Sequence, residues 1–123
     1  VDRRKPFEVW GNPGVTRDVI YSEDFGEAIV RLLDKSSLKF DCFNVGSGVG
    51  VRVDEVVKLA LKYAGYFPKK IVYDSSKPTT IPFRILDCGK IKKIINWQPR
   101  YSVEEGLKKT IEWWIQNKGW WKR

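Results

Sequence analysis

Histidine is missing from this sequence altogether, and cysteine occurs only twice, as Cys42 and Cys88 without paired spacing. These shortages exclude the commonest zinc sites, every histidine-containing triad and a histidine general base. Cys42, inside Cys42-Phe43-Asn44-Val45, reads as a small buried apolar residue, and a disulfide has little in its favour. No apolar run approaches membrane-spanning length, and no charged-then-apolar leader opens the sequence. A soluble protein is therefore expected, with the cytoplasm as default compartment and no membrane among its partners. Internal repeats and low-complexity segments are lacking too.

What is present is enough for one small ordered domain. The chain has 123 residues, 42% hydrophobic and 14% aromatic, which sets it apart from a disordered tail and allows a modest core. The net charge of +8 raises the question of nucleic acid. Its basic residues, however, are scattered in pairs such as Arg3-Arg4, Lys69-Lys70 and Lys108-Lys109, not gathered into a stripe. A solvated basic surface explains that scatter better than a phosphate-backbone footprint, and a small anionic ligand fits the same charge.

Periodicity and punctuation outline the elements. Residues 6–10 read as a short strand ended by Gly11-Asn12-Pro13-Gly14, and residues 17–21 as another extended piece. Ser22 is placed to cap a helix with Glu23 and Asp24 in its first turn and Phe25, Ala28, Ile29, Leu32 and Leu33 on one face. Residues 41–45 form an apolar strand-like run. Val53, Val56, Val57, Ala60, Leu61 and Ala64 make a second helical stripe, stopped by Gly65. Residues 71–73 read as a strand and 77–82, with two prolines, as a loop. Asp87 opens a short helix carrying Ile91, Ile94 and Ile95, ended by Asn96. The last helix starts at the capping box Ser102-Val103-Glu104-Glu105 and buries Val103, Leu107, Ile111, Trp114 and Ile115. The sum is a small α/β (α+β-like) domain with about four helices and three or four short strands.

Two motifs imitate an oxidoreductase. Gly46-Ser47-Gly48-Val49-Gly50 follows a strand-like run and precedes a helix, and Asp74 stands at a tolerable distance for a ribose-binding acid. But Val51 replaces the third glycine, the helix begins late, and Asp54 and Glu55 occupy the end where a pyrophosphate would dock. A turn leading strand into helix is the better reading. Tyr66 and Lys70 have the spacing of a catalytic Tyr-x-x-x-Lys, yet Gly65 has just ended a helix and Pro68 lies between them, so they cannot share a helical face.

With those set aside, "VWGNPGVTRDVIYSEDFGEAIVRLL", "FNVGSGVGVRVDEVVKLA" and "SKPTTIPFRILDCGKIKKIINWQPRYSVEEGLKKTIEWW" become informative. In that order they resemble the closing part of the extended short-chain dehydrogenase/reductases. These are the NAD(P)-dependent nucleotide-sugar epimerases, dehydratases and reductases, and the nearest branches contain GDP-fucose synthase and UDP-glucose 4-epimerase. The likeness runs over nearly the whole chain, residues 6–118. It implies that residues 1–123 are a single C-terminal nucleotide-sugar-binding domain, a fragment whose N-terminal Rossmann domain, with the catalytic Ser, Tyr and Lys, is missing; the abrupt start at Val1 favours the same view. It also implies NAD or NADP for the full-length parent and no cofactor bound by this chain.

The resemblance carries over residue by residue to a UDP- or GDP-sugar site. Trp10 and Arg17 match the tryptophan and arginine set against the sugar nucleotide, roles that suit an indole face and a guanidinium fork. Arg84 matches a basic residue reaching the phosphates after the proline-containing loop. Lys70 and Lys77 match basic residues near the same ligand. Phe83 stands where the fucose synthases usually have arginine. The rival reading is a free-standing module binding single-stranded nucleic acid or a protein, supported by the aromatic and cationic run from Trp113 to Arg123. A severed half should also expose an apolar face and self-associate.

Overall fold

The computed structural model describes residues 6–35, 40–78 and 81–119. Nine elements follow one another: β1 (Phe7–Trp10), β2 (Thr16–Asp18), α1 (Ser22–Asp34), β3 (Gly50–Arg52), α2 (Val53–Tyr63), β4 (Ile71–Asp74), β5 (Phe83–Arg84), α3 (Gly89–Ile95) and α4 (Val103–Gln116). The expected small α/β arrangement with four helices is what forms among the described residues, but there the strands number five and fall into two sheets.

In the first sheet β1 and β4 run parallel, with Phe7 opposite Ile71 and Trp10 opposite Asp74. In the second, β2 lies between β3 and β5, antiparallel to β3 and parallel to β5. Neither β3 nor β5 is legible as a strand, because two or three residues carry no usable alternation. Their pairing is set by β2 lying between them.

Local signals decide several helix ends. Ser102 accepts the Glu105 amide at 3.2 Å and the Glu105 carboxylate accepts the Ser102 amide at 2.9 Å, completing the capping box. Gly65 takes the left-handed conformation (φ 61°), and the Gly65 and Tyr66 amides close back onto the Lys62 and Leu61 carbonyls. Asn96 (φ 48°) ends α3 in the same way.

Ser22 behaves differently from expectation. Tyr21 is the capping residue of α1, with no side-chain capping bond, and Ser22 is already helical. Asp24 lies in the first turn of α1 as expected; it is also fully buried, and accepts the Arg100 and Tyr101 amides, each at 3.1 Å. It thereby ties α1 to the segment that leads into α4.

The core is Ala28, Ile91, Ile95 and Trp97, with Ile20, Leu32, Phe43, Val45, Cys88 and Ile94 packed around it. Residues 41–45 are not a strand. They give Phe43 and Val45 to the core, but among the described residues no strand pairs with them, and a strand needs a ladder partner. Cys42, expected to be buried, is accordingly exposed.

Two apolar faces are more open than their periodicity implies. On α1, Phe25 (43%), Ile29 (42%) and Leu33 (70%) remain exposed, leaving Ala28 and Leu32 to face the core. On α4, which packs on α2, Trp114 and Ile115 are exposed, while Gly106 is buried against the Tyr21 side chain.

Candidate functional site

The site begins with register. Arg17 on β2 is the direct neighbour of Arg84 on β5, and Val51 of β3 flanks Arg17 on the other side. Side chains alternate along strands, and register partners in neighbouring strands share a face. Arg17, Val51 and Arg84 therefore lie on one face of the sheet, and Thr16, Asp18 and Gly50 on the other. Strands neighbour each other at about 4.8 Å, so two guanidinium-bearing positions stand side by side at a spacing a diphosphate can bridge. Arg84 is exposed and Arg17 half-buried, with one Arg17 Nη1–H donating to the Thr16 carbonyl at 2.7 Å.

A second pair forms where β1 and β4 end. The Lys77 ammonium lies 5.4 Å from the centre of the Trp10 ring, a cation–π distance, and 3.7 Å from the Asp74 carboxylate. Trp10 is 68% exposed and its indole N–H donates to Glu8 at 2.8 Å, which fixes the ring's edge and leaves its body open. Asp74, the acid at cofactor spacing, spends its carboxylate on its own turn. Ser76 donates its hydroxyl at 2.6 Å and its amide at 3.0 Å, and these bonds hold the Asp74 carboxyl below its ordinary value.

Lys70 does not join either pair. It is exposed just before β4, at the opposite end of that strand from Trp10 and Lys77, and a four-residue strand spans roughly 13 Å. Tyr66 packs its ring against Phe7 at 6.0 Å, outside any helix, so the Tyr66–Lys70 spacing has no shared helical face.

The glycine loop does form a nest of amides, and an internal carboxylate fills it. Asp18 accepts the Ser47 amide (2.7 Å), the Ser47 hydroxyl (2.6 Å), the Gly48 amide (2.9 Å) and the Leu86 amide (3.2 Å). Burial alone would push the Asp18 carboxyl up; the bonds from Ser47, Gly48 and Leu86 outweigh it and hold the carboxyl below its ordinary value. The Val49 amide is taken by the Ser47 hydroxyl at 3.1 Å. A Cβ on Gly46 would stand 2.8 Å from Asp18 Oδ2, so glycine is needed for the carboxylate to approach. At the N-terminus of α2, Asp54 is bound by Arg52 (2.9 Å) and Lys58 (3.3 Å). This loop is committed to Asp18, and its residues do not fit a dinucleotide pyrophosphate.

Sequence reasoning missed Asp18, whose donors lie 29 to 68 residues away and leave no local pattern. It also missed a cleft of about 690 Å³ between the glycine loop, the start of α3 and residues 98–103. Trp97 lines that cleft, and its indole N–H, buried, has no partner among the described residues. None of Trp10, Arg17, Lys70, Lys77 and Arg84 borders it. Of the aromatic tail, Trp113 and Trp114 lie half-exposed on α4, and residues 120–123 fall outside the described residues.

No family profile matches the sequence. The GDP-L-fucose synthase of Sinorhizobium fredii is 35% identical over 109 residues, which cover 89% of this chain and 34% of that protein. A crystal structure of dTDP-glucose 4,6-dehydratase from Bacillus anthracis, in complex with NAD, superposes with a TM-score of 0.81 at 27% identity, over 96% of this chain and 37% of that one. UDP-glucose 4-epimerase from Thermotoga maritima, solved with UDP-glucose, gives a TM-score of 0.76 at 28% identity, over 92% and 36%. The chain thus spans about a third of the length of these relatives. With the likeness running across nearly all of its residues, the chain is a domain of the extended short-chain dehydrogenase/reductase family, in its nucleotide-sugar epimerase/dehydratase branch.

Proposed function

We propose that this chain is the C-terminal, substrate-gripping domain of an NAD(P)-dependent nucleotide-sugar epimerase, dehydratase or reductase. The observation that carries the reading is the pairing of Arg17 with Arg84 across adjacent strands. Two guanidinium groups on one face can each donate two N–H groups to a diphosphate, a stronger and more directional hold than single lysines provide. Trp10 offers an open ring for stacking on the base or sugar, and Lys77, held over it, adds positive charge beside that ring. Lys70 would act only as a distant contributor to the field.

In this reading the chain supplies position. The sugar itself is uncharged, so the diphosphate beside it is the handle by which the reacting carbon is held at near-attack geometry. Hydride chemistry belongs to NAD or NADP carried by a Rossmann domain outside this chain; the B. anthracis relative is solved with NAD and the T. maritima relative with UDP-glucose. The exposed apolar face of α1, and residues 41–45, which pair with no strand within the described residues, would meet that domain. No helix among the described residues is long and apolar enough to cross a membrane, and a cytoplasmic setting fits the reading.

Calorimetric titration with UDP-glucose and GDP-mannose tests it. Weak binding of one of them is expected, and Arg17→Ala should abolish it. A folded sample that gives no heat with either ligand removes the proposal.

A further inference from the structure

Asp18 sits one residue after Arg17 and on the opposite face of β2, so it does not reach a ligand held by the two arginines. What it holds is chain. Its two oxygens collect four donors from two distant segments, the glycine loop at Ser47 and Gly48 and the exit of β5 at Leu86.

The position of Leu86 matters because β5 is only two residues long. So short a strand has little ladder of its own, and its ends must be tied for it to stay in register. One tie is the Thr16 amide donating to the Pro82 carbonyl at 2.8 Å, ahead of the strand. The other is the Leu86 amide on Asp18, behind it. Arg84 lies between the two. The glycine loop fixes Asp18 from its other side, and Gly50, which opens β3, has no Cβ where Ile85 packs at 2.5 Å from the ideal Cβ position.

We infer that Asp18 is a positioning residue for the anion grip: by accepting the Leu86 amide while anchored in the glycine loop, it keeps Arg84 in register with Arg17. The inference rests on the reading of Arg17 and Arg84 as the diphosphate grip. It gives the glycine loop a role, that of a socket for the carboxylate that aligns the phosphate-binding strand.

A double-mutant cycle on the whole chain tests it, with affinity for UDP and GDP measured by calorimetry at fixed salt. Asp18→Asn keeps the size but turns one acceptor into an NH2 group facing N–H donors. It is expected to weaken binding about tenfold, the scale of one lost bond to a charged group. In an Arg84→Ala background the same change should cost less than about twofold, because the route through Arg84 is gone. Amide exchange gives a readout independent of ligand. In Asp18→Asn, exchange at Leu86 and Thr16 should speed up, while Tyr66 and Asn117, at the C-terminal ends of α2 and α4, keep their rates. Should Asp18→Asn fail to fold, Ser47→Ala removes one donor to Asp18, along with the acceptor of the Val49 amide, and is expected to shift binding and exchange in the same direction by a smaller factor. Equal losses with and without Arg84, or an unchanged Thr16 amide, overturn the inference. If the wild-type chain binds neither nucleotide, the substrate reading falls, and the exchange data alone decide whether Asp18 sets the register.

Discussion

Replacing Arg84 by alanine should have opposite effects on the empty and the liganded protein, and that opposition is the sharpest consequence of the Arg17–Arg84 pairing. Without ligand, two like charges on neighbouring strands repel. At a separation of about 5 Å the cost is about 1 kcal/mol in water-like surroundings, the appropriate limit for an exposed group. Arg84→Ala should therefore leave the free protein unchanged or raise its melting temperature by up to about 4 °C. With ligand, the same change removes charge-assisted bonds worth about 1.5–3 kcal/mol, which weakens binding roughly ten- to a hundredfold. The assay is a pair of melts, with and without saturating nucleotide, together with calorimetry. Raising the salt should shrink both effects, because exposed charges are screened over about 10 Å at 0.1 M ionic strength. A variant that is less stable without ligand and binds as tightly as wild type would refute the reasoning, since it would make Arg84 a structural residue.

Two further outcomes follow from the packing. Asp18 and Glu104 both have carboxyls held below their ordinary values, Asp18 by its bonds from Ser47, Gly48 and Leu86 against burial, and Glu104 first by the Tyr63 hydroxyl and then by Lys62. A depressed folded-state value means stabilisation that is present above the unfolded values of 3.8 and 4.5 and is lost as pH falls through the lower folded ones. Denaturant melts should therefore be flat from neutral pH to about 5 and fall below about 4, with a shallower fall in Asp18→Asn; an unaltered slope in that variant would contradict the hydrogen-bonding scheme. On α1, Leu33 is 70% exposed beside Ile29. Sedimentation at rising concentration should show self-association that Leu33→Lys and mild detergent both reduce, and a strictly monomeric wild type would count against an uncovered interdomain face.

The sequence by itself determined the parts whose causes are local. The Ser102 capping box, the left-handed stop at Gly65 and the stripe of α2 are each decided within a turn or two of chain, so short-range chemistry is enough to place them. Asp54 and Glu55 after the glycine loop, and Gly65 and Pro68 around the Tyr66–Lys70 spacing, were also sufficient to reject the oxidoreductase motifs. Only the tertiary structure could decide what depends on partners far along the chain. Residues 41–45 have the composition of a strand but no ladder partner among the described residues; β3 and β5 have almost no pattern and become strands because β2 lies between them. The same holds for the site. That Arg17 and Arg84 share a face, that Lys70 stands apart, and that Asp18 fills the glycine nest are facts of register and of hydrogen bonds closed across up to 68 residues, for which periodicity carries no signal.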